Sequence, residues 1–238
     1  MKKLRRVLKI GWTLNRIFLQ SAIVVGLLAF DPICYSAAQA DAYGSSSPDH
    51  NKREFILKLG FDMPGDIYWS GTHYYRKYNP YSGYYTWPSE GISESLDVKS
   101  GISLSGEMVF YINDKFGLGF GLTYQAEREL DTTVGGKFQF IPIYGLAKIR
   151  FPAETVTPYI LGQAGYNFLE GDDKFTFGGD LEGGAYVGIG PGLKFNNGFL
   201  LELLYTINFG YFEYTTYGHS YEIYVRYQKV GLGIGYAF

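Results

Sequence analysis

The chain is poor in what an ordinary soluble domain of 238 residues contains. It has 1 cysteine and 3 methionines, and only 18% of its residues are charged, where a soluble domain carries about 25%. The single cysteine excludes a disulfide scaffold. Formal net charge is −2, which gives no electrostatic footprint for nucleic acid. Past residue 40 no stretch approaches the roughly 20 consecutive apolar residues of a transmembrane helix. The histidines number three and show no metal-ligand spacing, so neither a metal nor a cofactor is expected.

Aromatic residues and glycine are abundant instead: 23 Tyr, 18 Phe, 3 Trp and 32 Gly. Such a composition favours strands and turns over helices. The first forty residues stand apart. Lys2, Lys3, Arg5, Arg6, Lys9 and Arg16 precede an apolar run from Ile17 to Phe30, and the segment ends in Ser36-Ala37-Ala38-Gln39-Ala40. A basic start, a short apolar stretch and a small-x-small site read as a secretory signal peptide over 1–40, cleaved after Ala40. Cys34 is preceded by Ile33, too large for a lipoprotein site. Cleavage would remove the cysteine and leave 15 basic against 22 acidic residues, a net charge of −7. Residues 41–52, rich in Ser, Gly and Pro, read as a polar periplasmic leader.

From residue 53 onward the dominant period is two, the signature of strands with unlike faces. Eight strands are predicted, at about 53–62, 95–111, 116–126, 137–151, 157–168, 183–195, from 199, and at the C-terminus. On one face stand residues such as Phe55, Leu57, Leu59 and Phe61, or Val230, Leu232, Ile234, Tyr236 and Phe238. On the other stand Gly, Ser, Thr and charges. In the fourth strand both faces are apolar, so its lipid-facing parity stays open, and Pro142 inside it suggests a bulge. Short connections (112–115, 152–156, 196–198) alternate with long ones (63–94, 127–136, 169–182, 210–221), the layout of an outer-membrane barrel. A soluble barrel would place its large apolar residues inside, where this chain offers mostly small and charged ones. The expected fold is all-β: an eight-stranded antiparallel transmembrane β-barrel over 53–238.

The last strand, Val230-Gly-Leu-Gly-Ile-Gly-Tyr-Ala-Phe238, ends on an aromatic residue. With TPYILGQAGYNF (157–168) and AYVGIGPGLKF (185–195), the chain resembles the small outer-membrane β-barrel family of opacity-like and outer-membrane-protein-X-like proteins across most of 53–238. The resemblance implies Gram-negative outer-membrane localisation. It also implies contact with lipid and lipopolysaccharide, and delivery by periplasmic chaperones to the barrel assembly machinery. Tyr236 and Phe238 look like the C-terminal assembly signal. The long tyrosine-rich first loop departs from the compact members.

Eight strands leave an interior filled by side chains. The candidate lumen network is Lys58, Asp97, Lys99, Glu107, Glu202 and Lys229, whose mixed signs suit buried pairs plugging the barrel or, alternatively, a narrow ion path. The candidate working surface is loop 1, where Tyr68, Trp69, Tyr74, Tyr75, Tyr78, Tyr81, Tyr84, Tyr85 and Trp87 fall within 68–87 beside Arg76 and Lys77. Tyr and Trp offer stiff contact area with a polar tip, suited either to a host or surface ligand or to an aromatic girdle at the lipid interface. A lipid A-modifying enzyme is the remaining alternative, with His219, Ser220 and Glu222 at the start of the last strand. Adjacent strand residues point to opposite faces, however, so His219 and Ser220 make no dyad there. The expectation is a non-enzymatic barrel working through its exposed loops.

Overall fold

A computed structural model describes residues 53–131, 135–217 and 219–238. The expected signal peptide and leader lie outside the described residues. The strands in chain order are β1 (Arg53–Asp62), β2 (Gly65–Tyr75), β3 (Lys77–Tyr78), β4 (Tyr85–Thr86), β5 (Ser89–Val98), β6 (Gly101–Tyr111), β7 (Phe116–Gln125), β8 (Arg128–Glu129), β9 (Lys137–Arg150), β10 (Val156–Gly171), β11 (Asp180–Phe195), β12 (Phe199–Thr216) and β13 (His219–Ala237), joined among the described residues by a short helix, α1 (Asp173–Thr176). Pairing runs β1-β6-β7-β9-β10-β11-β12-β13 and returns from β13 to β1, all antiparallel, so eight strands close a ring. Closure matters because lipid offers no partner to a free edge.

The period-two pattern sorts the two faces of the wall as expected. Leu59, Phe61, Ile102, Leu104, Leu118, Phe120, Ile160, Ile189, Leu203, Ile234 and Tyr236 are all exposed on the outside. Parity in β9 is now settled: Ile143 and Ile149 face out, while Phe138, Phe140, Tyr144, Leu146 and Lys148 are buried within. The bulge expected at Pro142 is absent. The β9–β10 register runs unbroken through Pro142↔Asn167. The β7 ladder ends at Leu122↔Ile143, so on that side the proline's missing N–H forfeits no bond.

All four long connections prove to be partly strand, 127–136 by the short β8 alone. The first, 63–94, is mostly β2 and β5, which continue β1 and β6 beyond the apolar belt and pair with each other, β2 pairing also with β13. The connection at 210–221 shrinks to a tight turn, because Thr216 pairs directly with His219. Tyr217 there takes φ 47°, the left-handed conformation that two-residue hairpins demand. The connection at 169–182 shrinks to 172–179 and carries α1, capped by Asp172, whose carboxylate accepts from the Phe175 amide at 2.8 Å.

Two irregularities change the upper half of the barrel: β11 advances three residues against two on β12 between Gly183↔Gly210 and Tyr186↔Asn208, and the first strand carries the other. Between Asp62↔Gly231 and Asp66↔Gln228 the first strand advances four residues against three on β13. The matching β5–β6 break at Lys99–Ser100 keeps step across Asp62↔Gly101 and Gly65↔Val98. One extra residue turns every later side chain to the other face. Ile67, Trp69 and Val98 therefore point inward and are buried.

Candidate functional site

The interior is layered. Nearest the start of β1 and the end of β13, an apolar layer built on Ile56, Val109, Tyr111, Leu146, Tyr159 and Leu200 fills the bore. Glycines on the inner face make room for the rings: a Cβ on Gly121 would lie 2.7 Å from the Tyr144 ring and 2.9 Å from Glu107 Cγ. Next comes a charged layer. Lys58 Nζ donates to Glu107 and to Glu202, each at 2.6 Å, and all three are buried. Tyr144 donates to Glu107 at 3.0 Å, Tyr159 to Glu202 at 2.6 Å, and the Gln163 amide to Glu107 at 2.9 Å. Lys148 lies 4.0 Å from Glu202 and 4.3 Å above the Tyr159 ring. Carboxylates buried this deeply need such donors, which at Glu107 all converge on Oε1 while Oε2 is left without one.

One step further along, Asp62 accepts from both Arg128 and Lys229, the latter at 2.6 Å. A polar cavity of about 50 Å³ sits between these clusters, bordered by Ser103, Thr123, Gln125 and Thr206. That is room for a few waters. Above it an aromatic layer closes the bore. Phe138, Phe140, Leu169, Phe212, Val225 and Tyr227 pack around Phe175 of α1 and Trp69 of β2. Trp69 meets Phe175 and Phe212 edge-on at 5.7 and 5.9 Å.

Of the six residues expected in a lumen network, Lys58, Glu107 and Glu202 come together in one cluster and Lys229 joins a second. Asp97 and Lys99 do not belong: both are exposed on the outside, because the extra residue at 63–66 reverses parity above Val98. Lys99 instead pairs with Glu129 at 3.2 Å. That hydrogen bond, with the Lys99 and Lys137 charges, holds the Glu129 carboxyl below its usual range. Three members were missed. Asp62 stands on the inner face by simple alternation, so its signal was present. Arg128 lies in a segment that reads as loop, and Lys148 in the strand whose two faces look alike.

The nine aromatics of the first connection divide in two. Trp69 is buried in the upper core, and Tyr68, Tyr74 and Tyr75 line β2, half-buried. Tyr78, Tyr81, Tyr84, Tyr85 and Trp87 lie on a protruding tip, with Tyr81 99% and Tyr84 75% exposed. β3 and β4 pair Lys77 with Thr86 and Tyr78 with Tyr85. Arg76 lies 3.6 Å over the Tyr85 ring, and Gly83 at φ 70° turns the tip. These five sit on a hairpin that extends past the ends of β2 and β5. At the opposite end Tyr236 and Phe238 face outward, edge to face at 4.9 Å. The Phe238 amide donates to Phe55 O at 2.8 Å.

No protein-family model matches the chain, and no curated protein sequence matches it. Among solved structures, the chain is similar to the outer membrane protein OprG from Pseudomonas aeruginosa, at 14% identity over 79% of this chain and 97% of that one, TM-score 0.47. It is similar to the outer membrane protein AlkL at 14% identity, over 82% of this chain and 95% of that one, TM-score 0.47. Ail, the attachment invasion locus protein of Yersinia pestis, is similar at 14% identity over 79% and 99%, TM-score 0.38. Likeness at this level is silent on activity. By its closed ring and apolar belt, the chain is a small β-barrel membrane protein of the outer-membrane kind.

Proposed function

We propose that this barrel is a non-enzymatic surface protein of the bacterial outer membrane, which contacts a host or surface ligand through the 76–88 hairpin. The observation that carries the reading is the tip itself: four tyrosines and a tryptophan held in the open by a paired, stacked hairpin. An exposed aromatic cluster with a cation beside it is costly in water unless it has a partner to meet. Tyr and Trp lose little conformational entropy on binding, and pre-pairing of β3 with β4 lowers that cost further.

The test replaces residues 77–86 by a two-residue turn, leaving Trp69 and the rest of β2 in place. Cells displaying the variant are expected to carry a folded barrel, read by its heat-dependent gel mobility, and to lose adhesion to host-cell monolayers. Adhesion equal to that of the full chain would overturn the reading.

A further inference from the structure

Beyond the tip and the plugged bore, the two histidines of the described residues form a pair of their own. His73 stands on β2 and His219 on β13, 146 positions apart in sequence, yet His73 Nε2 lies 2.8 Å from His219 Nδ1. At that separation one nitrogen donates an N–H to the other, in an order set by the tautomers, so both ring nitrogens face the same point. The rings are nearly parallel, 26° apart, with centroids at 5.0 Å. They are also held from the side: Tyr221 stacks on His73 at 4.3 Å and 2°, and Tyr214 stacks on Tyr221 at 4.4 Å. Both imidazoles are half-buried. Glu90 lies directly across from His73 on β5, its carboxylate accepting from Tyr75 at 3.2 Å.

We propose that His73 and His219 bind a divalent transition ion of the zinc class at the far end of the β2–β13 seam. Two neutral imidazoles on adjacent strands are a preferred donor set for such ions. Zn–N bonds of about 2.0–2.1 Å at a tetrahedral angle need nitrogens about 3.3 Å apart, so the pair must part by about half an ångström and the rings tilt off the line on which their nitrogens now face each other. Among the described residues no third donor of the histidine, cysteine or carboxylate type converges on the point. Water completes the shell, and Glu90 supplies negative charge nearby. The ion would replace that hydrogen bond by a bridge between the first and last segments of the barrel. It would staple the seam where the ring is closed.

The full chain, refolded in detergent micelles without an affinity tag, is titrated with Zn²⁺ by calorimetry. One equivalent is expected to bind, with affinity falling at least about tenfold in His73→Ala and again in His219→Ala. His50→Ala, the remaining histidine, should bind as the parent does. Zn²⁺ should raise the unfolding temperature of the parent and not that of His73→Ala. Ca²⁺, which prefers oxygen donors, should do neither. No saturable Zn²⁺ binding, binding that persists in both pair variants, or loss on His50→Ala alone would overturn the site.

Discussion

Lys58 holds two carboxylates at once, each at 2.6 Å, inside a wall that shields all three groups from water. Taking one member of such a cluster away leaves an uncompensated buried charge, which costs about 3–5 kcal/mol. Lys58→Ala is therefore expected to destabilise the barrel by about that much, measured by urea unfolding after refolding into lipid vesicles. Adding Glu107→Gln to it should recover much of the loss, since Lys148 and Glu202 then remain as a pair of opposite charge. Lys99→Ala should leave the urea midpoint where it was, because the Lys99–Glu129 pair stands in water and is screened. The two lysines look equivalent along the chain, each beside a carboxylate-bearing strand. Only the parity of the strand beneath them separates a buried tie from a surface one.

At the scale of elements, the contrast lies within the first connection. β2 is part of the wall: it pairs with β13 from Asp66 to Tyr75 and with β5 from Gly65 to Tyr74, and it delivers Trp69 into the aromatic layer. The 76–88 hairpin beyond it contacts itself. Trp69→Ala is expected to cost about 3–5 kcal/mol through the cavity it leaves among Phe175, Phe177 and Phe212. Removal of the tip should leave the urea midpoint unchanged. Equal stability for Trp69→Ala and its parent would mean that the upper layer is not a core. The helix α1 belongs to the same element-scale argument. It is too short to be stable alone, and it holds because Asp172 caps it and Phe175 is buried against Phe138 and Trp69.

At the largest scale, the described residues form a ring of eight strands whose bore carries an apolar layer, a charged layer and an aromatic layer. Ion pairs span the middle, and the cavity between them, about 50 Å³, has room for a few waters. Refolded into planar bilayers, the protein is expected to stay electrically silent while gel mobility reports a folded barrel. Discrete current steps that shift with Glu107→Gln or Lys229→Gln would make the charged layer an ion path instead.

Strand identity, strand number, the apolar belt and the inward placement of Lys58, Glu107, Glu202 and Lys229 were all legible along the chain. Each depends on period-two alternation, and alternation is a local property that lipid on one side and a packed bore on the other both enforce. The tertiary structure decided what depends on partners distant in sequence. The extra residue in the first strand shows only against β13, and it alone puts Trp69 inside and sends Asp97 and Lys99 outside. Arg128 meets Asp62 across 66 positions, and His73 meets His219 across 146. Alternation states which face a side chain takes. Register, set by the closure of the whole ring, states which side chain it meets there.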